Sequence, residues 1–265
     1  MSEDKEKEKQ VVAYEVAPYG NVELVYNKPI QRVEYCVIGN DGNFAFQKEL
    51  ETEDVVYRPP IIIEQMAKKN FLFLPSRPEE YGADAELAET IYNFLYDYVD
   101  YSDEYRKLDV WYAKFSWVHD LFPILPYRRA LGDTGRGKTR WATVLGSICR
   151  MAYFQGAATT SAPIYRLSDL IRGTMIIDEN YFSTKTEQGQ AVLAILNSGY
   201  SKTTGFVMRC IGENYRPAFF VTYGPKLVAA RYPFPDEATE NRTISHFAYE
   251  TDRDDISRWK SGSSN

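Results

Sequence analysis

The stretch "RRALGDTGRGKTRWA", residues 128–142, places three glycines, a lysine and a threonine between two apolar stretches. It matches the pattern G-x-x-x-x-G-K-[ST] from Gly132 to Thr139. The glycines let successive backbone N–H groups curl around an anion without a Cβ in the way, and phosphate is the anion that fits. We therefore predict a phosphate-binding loop at residues 132–139, called the phosphate loop below. A glycine-rich turn without chemical function is the alternative.

The residues around the phosphate loop favour the first interpretation. "PYRRALG" is typical of a short strand, and "KTRWATVLGSICRMA" predicts a helix because Trp141, Val144, Leu145 and Ile148 follow helical spacing. A helix that starts at the loop adds the partial positive charge of its N-terminus to the anion site.

Composition limits the class of protein. The 265 residues suit one large domain or a domain with a smaller appendage, and 44% hydrophobic content is enough for a core. The net charge of −6 gives no overall basic field, so any nucleic-acid contact must be a local patch.

The cysteines and the apolar runs indicate the cellular compartment of the protein. Cys36, Cys149 and Cys210 are widely separated, which argues against a disulfide framework and a cysteine zinc site. No apolar run approaches the roughly 20 residues that span a bilayer. The start, "MSEDKEKEKQ", does not resemble a signal peptide. We predict a cytoplasmic protein without a membrane partner.

Runs of β-branched and aromatic residues, and later helical spacing, divide the chain. The early runs predict a small antiparallel unit with a turn at Asn40 to Gly42 and aromatic side chains in its core, while contact of these aromatics with a nucleic-acid strand is the alternative. His119 is interpreted as a cap or surface residue and His246 as a strand residue. The predicted parts are a disordered tail (1–10), a small β-rich region (11–78), a helical segment (79–125), a core (126–250) and a C-terminal tail (251–265).

From Ala152 onward, helical and strand patterns alternate. Such alternation predicts an α/β sandwich with a mainly parallel sheet. Leu193, Ile195 and Leu196 would face that sheet from a helix.

"GTMIIDEN" provides carboxylates for chemistry on a bound nucleotide. Asp178 ends a buried-strand pattern, where the crevice of an α/β sheet lies, and can hold Mg²⁺ together with the Thr139 hydroxyl. Glu179, the next residue, can accept the proton of an attacking water. The alternative is that "DEN" caps a helix beginning near Tyr181.

Arginine can stabilise the charge of the γ-phosphate in the transition state, often from a neighbouring subunit. Arg242 in "ATENRTISHF" is the predicted arginine finger, and Arg231 and Lys226 are candidate sensors in the same chain. Each could instead be a surface charge.

Five ordered segments resemble a known family: "GDTGRGKTRWATVLG", "GAATTSAPIYR", "GTMIIDEN", "ILNSGYSKTTGFVMR" and "YGPKLVAARYPFPDEATENRTI". Together they look like the AAA+ helicase-type ATPase domain of phage, plasmid and archaeal mobile-element replication proteins. The resemblance covers about residues 126–249. It implies a P-loop NTPase fold of the AAA+/ASCE type, a three-layer sandwich preceded by a small β-rich and helical region.

The resemblance also implies ATP and Mg²⁺ as ligands and a hexameric ring or a partner replication protein. It places Lys138 on the phosphates, Asp178 on magnesium and Glu179 as base. It implies that the loop 197–205 faces a central channel, although a plain helix-to-strand turn is the alternative. The nucleotide-binding residues expected are Gly132, Asp133, Thr134, Gly135, Arg136, Gly137, Lys138, Thr139 and Arg140. The residues expected to contact a nucleic-acid backbone are Ser201, Lys202, Thr203 and Thr204.

One departure from the family's pattern concerns the end of the chain. Only about fifteen residues follow "TISHFAYE", fewer than the usual helical lid with its further arginine needs. We expect either an excised core or a reduced ATPase that works with a partner.

These patterns predict an ATP-hydrolysing, DNA-dependent motor. A nucleotide-gated switch or assembly factor without translocation is the alternative. A small-molecule kinase is a weaker one, because no acceptor pocket or arginine-bearing lid is evident in the sequence.

Overall fold

The computed structural model describes residues 8–11, 21–52, 55–155, 161–178, 185–212 and 215–259. The chain forms two compact units, Met1–Glu80 and Tyr81–Asn265. No helix in the described ranges is long and apolar enough to cross a membrane.

The first unit is built from short strands and one helix. Its elements are β1 (Glu8–Val11), β2 (Asn21–Asn27), β3 (Arg32–Ile38), β4 (Phe44–Gln47), β5 (Leu50–Glu51), β6 (Val55–Arg58) and α1 (Ile61–Lys68). Strands β2, β3 and β4 form an antiparallel sheet, in which the chain turns between Gly39 and Asn43. The second sheet has the order β1-β6-β5.

The predicted antiparallel β region is confirmed, with two differences from the expectation. Strand β1 pairs in parallel with β6, because these strands are far apart in the chain and need no tight turn between them. Phe44 and Phe46 are each 43% exposed rather than in the core, since both lie on the edge strand β4. Their rings contact each other, with centroids 5.5 Å apart.

The second unit contains a helical pair followed by alternating strands and helices. Its helices are α2 (Asp84–Tyr98), α3 (Asp103–Trp117), a 3-10 helix (His119–Leu121), α4 (Lys138–Gly146), α5 (Ser161–Ile171), α6 (Glu187–Ser198) and α7 (Glu237–Glu240). Its strands are β7 (Tyr127–Leu131), β8 (Tyr153–Phe154), β9 (Met175–Ile177), β10 (Phe206–Ile211), β11 (Arg216–Val221), β12 (Lys226–Ala230) and β13 (Thr243–Phe247).

Five of these strands form a central sheet in the order β13-β7-β12-β9-β8, and every pairing in it is parallel. Every residue of β7, β9 and β12 is buried, as expected of strands covered on both faces. The connection through α4 runs toward the β8 edge, whereas those through α5, α6 and α7 run back toward β13. Because such crossovers are right-handed, α4 lies on one face and α5 to α7 on the other. The predicted α/β fold in three layers with a mainly parallel sheet is confirmed.

The helices on this sheet begin and end for local reasons. Thr186 caps α6, where its side chain accepts a hydrogen bond from the Gly189 backbone nitrogen at 3.1 Å. The predicted long helix after the phosphate loop is wrong beyond Gly146. There the chain leaves the helix and turns toward β8, with Met151 at a positive φ of 42°. Leu193, Ile195 and Leu196 of α6 are buried, as expected.

Strands β10 and β11 form a separate antiparallel hairpin outside the central sheet. Both long sides of β12 are already occupied by β7 and β9, so the hairpin has no place beside it. Phe206, Met208 and Phe219 of the hairpin are exposed.

The two histidines have different outcomes. His119 is buried, so its interpretation as a surface residue is wrong, whereas its contact with the last turn of α3 agrees with the predicted cap. Its ring Nδ1 lies 2.8 Å from the Ser116 carbonyl oxygen, and burial lowers its pKa below the ordinary value. His246 is a strand residue, as predicted, and its ring contacts Trp141 with centroids 4.8 Å apart.

Candidate functional site

The phosphate loop joins the end of β7 to the start of α4. It lies on the side of the central sheet where the carboxyl ends of the parallel strands lie, which is called the carboxyl edge below. Gly135 and Gly137 have φ angles of 84° and 83°, a left-handed conformation that favours glycine. A Cβ at either position would meet nothing within 4 Å, so both face open space. Gly132 differs, since a Cβ there would lie 2.7 Å from the Ala248 carbonyl oxygen. The backbone of the loop is therefore open around Gly135 and Gly137, whereas the start of the loop at Gly132 is closely packed against Ala248.

Lys138 is the first residue of α4 and is only 4% exposed. Its Nζ donates a hydrogen bond to the Asp133 carbonyl oxygen at 2.7 Å, which holds the ammonium group across the phosphate loop. A buried cation beside the start of a helix favours an anion at that point.

Thr139 and Asp178 meet, although they come from different elements. The Thr139 hydroxyl donates a hydrogen bond to Asp178 Oδ2 at 3.0 Å. Asp178 directly follows β9, whose carboxyl end lies at the same edge of the sheet as the phosphate loop.

A hydroxyl and a carboxylate are hard oxygen donors of the kind that Mg²⁺ takes. Among the described residues, no group of three or more His, Cys, Asp or Glu side chains could hold a metal ion. Mg²⁺ is usually bound by one or two protein ligands together with substrate phosphates and water, so Thr139 and Asp178 fit it beside a nucleotide.

Glu179, the predicted base, lies outside the described residues. Its role stays a prediction from its place after Asp178.

The two candidate sensors, Arg231 and Lys226, lie at opposite ends of strand β12. Arg231, just after β12, pairs with Asp133 of the phosphate loop at 3.4 Å and belongs to the carboxyl edge. Lys226 begins β12, so it lies about 16 Å farther back along the strand than Arg231. It is 1% exposed, and its Nζ donates to the carbonyl oxygens of Thr222 and Gly224 at 2.9 Å. Lys226 thus ties the start of β12 to the chain before it, a position that does not support the predicted sensor role.

Arg242 lies directly before β13, on the side of the sheet where the strands begin, which is called the amino edge below. Its Nη1 donates to Asn197 Oδ1 at 2.8 Å and to the Asn197 carbonyl oxygen at 3.1 Å. The guanidinium carbon lies 4.0 Å from the centre of the Tyr200 ring. Arg242 is thus at the opposite end of the sheet from the phosphate loop of its own chain.

The segment 201–204 forms a turn that is attached to the chain before β7. Ser201 is buried and pairs with Ile124, and the backbone nitrogen of Lys202 donates to the Pro123 carbonyl oxygen at 3.0 Å. The Lys202 ammonium donates to the Asp120 carbonyl oxygen. Lys202, Thr203 and Thr204 are exposed, whereas Ser201 is not available to a partner.

Sequence analysis missed a buried network behind the phosphate loop. Arg128 Nε donates to Asp109 Oδ1 at 2.6 Å, and Trp141 Nε1 donates to Asp109 Oδ2 at 2.8 Å. Asp109 of α3 therefore links the strand before the loop to the helix after it, and both charges are fully buried. Arginines in an otherwise apolar strand were the available clue, since a buried arginine needs a carboxylate partner.

Comparison with known proteins adds a likeness of fold. No family model matches the chain. No curated protein matches it either. The structure of the JCV helicase is similar with a TM-score of 0.40 at 14% identity, over 64% of this chain and 46% of that one. A mutant of RuvB from Thermotoga maritima is similar with a TM-score of 0.36 at 14% identity, over 59% and 49%. The chain spans about half the length of both proteins, and the likeness concerns the fold alone.

Proposed function

We propose that this chain is a Mg²⁺-dependent ATPase that acts as a motor on DNA. The observation that carries the ATPase proposal is the Thr139 hydroxyl 3.0 Å from the Asp178 carboxylate, beside a loop with a buried lysine.

In this proposal, residues of the carboxyl edge divide the work of hydrolysis with Glu179, the predicted base. Backbone N–H groups of the phosphate loop and the Lys138 ammonium bind the β- and γ-phosphates. Thr139 and Asp178 hold Mg²⁺, which neutralises phosphate charge when bound. Glu179 accepts the proton of the water that attacks the γ-phosphorus, and the bond to the β-phosphate oxygen breaks. Arg231, paired with Asp133, responds to the nucleotide from the same edge.

The hairpin β10–β11 and the neighbouring turn support action on DNA. Phe206 and Phe219 are exposed, with ring centroids 5.5 Å apart, and Arg209 and Arg216 are exposed on the same hairpin. The exposed rings of Phe206 and Phe219 suit bases that stack, while the two arginines, which lie on the other face of the hairpin by strand alternation, add cations to the same element. Lys202 and its two threonine neighbours extend this surface. Such a local patch is the form that nucleic-acid contact must take on a chain with a net charge of −6.

Arg242 can complete only the site of a neighbouring copy, because it lies at the amino edge of its own sheet. Nη2 and Nε form no hydrogen bond within the described part of the chain, and a guanidinium has five N–H donors. We therefore assign Arg242 as the finger that acts between copies in a homo-oligomer, a hexameric ring by analogy with the family it resembles.

The proposal is tested by ATP turnover with and without Mg²⁺, single-stranded DNA and duplex DNA. We expect Mg²⁺-dependent turnover that rises with DNA. The combined change Phe206→Ala and Phe219→Ala should remove most of the rise, whereas Phe71→Ala, an exposed phenylalanine outside the strands of the first unit, should keep it. Turnover that is indifferent to both DNAs would favour the nucleotide-gated switch, and transfer of phosphate to a small acceptor would favour a kinase.

A further inference from the structure

Arg242 is held by two parts of the second unit. Its carbonyl oxygen accepts a hydrogen bond from the Tyr127 nitrogen at 2.9 Å, so the first residue of β7 fixes the main chain. Its side chain contacts Asn197 in the last turn of α6 and Tyr200, two residues after that helix ends. The position of the guanidinium group therefore depends on the end of α6 as well as on the central sheet.

Asn197 binds one nitrogen of this guanidinium with two oxygen atoms. Nη1 donates to the side-chain oxygen of Asn197 at 2.8 Å and to its main-chain oxygen at 3.1 Å, which occupies both N–H groups of Nη1. The other three N–H donors, on Nη2 and Nε, form no hydrogen bond to any residue in the ranges that the structure describes. Asn197 therefore leaves Nη2 and Nε for an oxyanion, which a guanidinium binds with two parallel hydrogen bonds.

Further hydrogen bonds fix Asn197 and Tyr200 themselves. The hydroxyl of Thr239, which is fully buried in α7, donates to Asn197 Oδ1 at 2.8 Å and so sets the orientation of the amide group. The Tyr200 carbonyl oxygen accepts from the Leu125 nitrogen at 2.9 Å, and the centre of the Tyr200 ring lies 4.0 Å from the guanidinium carbon. Because both contacts of the guanidinium are anchored, its orientation is fixed before any ligand arrives.

We propose that Asn197 and Tyr200 are positioning residues, which orient the Arg242 guanidinium toward the nucleotide of a neighbouring copy. The inference rests on the proposed function, because it requires Arg242 to act between copies. Asn197 sets the rotation of the guanidinium through Nη1, and Tyr200 supports its flat face by a cation–π contact. An arginine that is already oriented needs no rearrangement when charge develops on the γ-phosphate, so both residues act on the rate of hydrolysis.

Removing the amide oxygen of Asn197 should change turnover but not ATP affinity. Asn197→Leu keeps the approximate size of the side chain, and the Thr239 hydroxyl retains Asp236 Oδ2 as an acceptor at 2.8 Å. We expect turnover per chain to fall about 10–100-fold, since a misplacement of about 1 Å can cost about 10²-fold. ATP affinity, measured by calorimetry, should stay within about twofold of wild type, because the phosphate loop of the same chain lies at the other edge of the sheet. Equal losses of turnover and affinity would overturn the proposal.

Conservative variants provide the matched controls. Asn197→Asp retains an acceptor oxygen for Nη1 and should keep turnover within about fivefold of wild type. Ser198→Ala should match wild type, because the Ser198 hydroxyl donates to the Ala194 carbonyl oxygen of its own helix rather than to Arg242. Tyr200→Phe keeps the ring and should also match wild type, whereas Tyr200→Leu removes it and should lower turnover about fivefold or more. A Tyr200→Phe protein as slow as Tyr200→Leu would contradict the assigned role of the ring.

A double-mutant cycle separates positioning from a general effect on the fold. In Arg242→Ala protein, the added change Asn197→Leu should lower the remaining turnover by less than about twofold, because the side chain that Asn197 orients is gone. Turnover is followed as phosphate release with protein in excess over ATP. A further 10–100-fold loss in this background, or wild-type turnover of Asn197→Leu alone, would overturn the proposal. Failure of the proposed role of Arg242 would look different, because Arg242→Ala alone would then keep the wild-type rate.

Discussion

The two edges of the central sheet carry the same kinds of residue in different surroundings. At the carboxyl edge, Arg231 and Asp133 form an exposed pair, and Thr139 meets Asp178 beside an open loop. At the amino edge, Lys226 is enclosed by backbone carbonyl groups, and Arg242 is bound to Asn197. Arg231 and Lys226 lie at the two ends of β12, yet we assign a role in ATP hydrolysis only to the exposed Arg231. The environment at each end of β12, rather than residue type, separates a site from a structural anchor.

The largest effect is expected at Arg242, where the amino edge of one copy would act on the carboxyl edge of another. Arg242→Ala should lower turnover by about 10³–10⁵, since that is what arginine fingers contribute, and leave ATP affinity nearly intact. Arg58→Ala, an exposed arginine of the first unit, is the control.

Mixing variants shows whether Arg242 works between copies. Inactive Arg242→Ala and inactive Lys138→Ala protein should regain part of the turnover together, because some interfaces would join an intact finger to an intact loop. No recovery, combined with wild-type turnover per chain that does not rise with concentration, would remove the amino edge from catalysis.

The next effect concerns Glu179, the residue after Asp178 in the sequence. Glu179→Gln should still bind ATP with Mg²⁺ but turn over about 10²–10⁴-fold more slowly, because the attacking water loses its base. Binding is measured by calorimetry and turnover by phosphate release. A wild-type rate would make Glu179 a helix cap.

Lys226 should show its structural role through pH. Burial lowers its pKa to about 7, from an ordinary value near 10.5. Between these values the unfolded chain binds the proton that the folded chain has lost, so the folded state gains stability as pH rises. From pH 7 to pH 9 the wild type should gain about 2 kcal/mol relative to Lys226→Met. Denaturant unfolding at both pH values measures this difference, and parallel changes in the two proteins would refute it.

The smallest effect on stability is expected at Arg231. Its pair with Asp133 is exposed, so Arg231→Ala should change the free energy of unfolding by less than about 1 kcal/mol. Turnover should nevertheless fall, because the arginine lies at the phosphate loop. A large loss of stability with unchanged turnover would place Arg231 among the structural residues with Lys226.

The fold was predictable where local pattern and tertiary position agree. The glycines of the phosphate loop, the apolar β9 and the alternation after Ala152 each require a particular local structure, and together they allow few topologies. The hairpin β10–β11 was not predictable as a separate sheet, because the sequence pattern of its two strands does not differ from that of strands in the central sheet. Its place depends on β12 having neighbours on both sides.

The candidate site was also predictable only in part. The meeting of Thr139 and Asp178 could be foreseen, since parallel strands end at one edge of a sheet. The burial of Lys226 and the link of Asp109 to Arg128 and Trp141 could not, because each depends on elements distant in the chain. The burial of His119 could not be foreseen for the same reason: Tyr223, more than a hundred residues later, donates to its carbonyl oxygen in the buried interior.

The central claim is that the carboxyl edge of the sheet is an ATP-hydrolysing site, and Mg²⁺-dependent phosphate release by Lys138→Ala tests it most directly. The change removes the buried ammonium beside the loop, so we expect turnover to fall by at least about 10²–10³, as for the loss of other preorganised charge-stabilising groups. Lys107→Ala, an exposed lysine of α3 paired with Asp103, should retain the wild-type rate. ATP hydrolysis by Lys138→Ala at the wild-type rate would contradict the account.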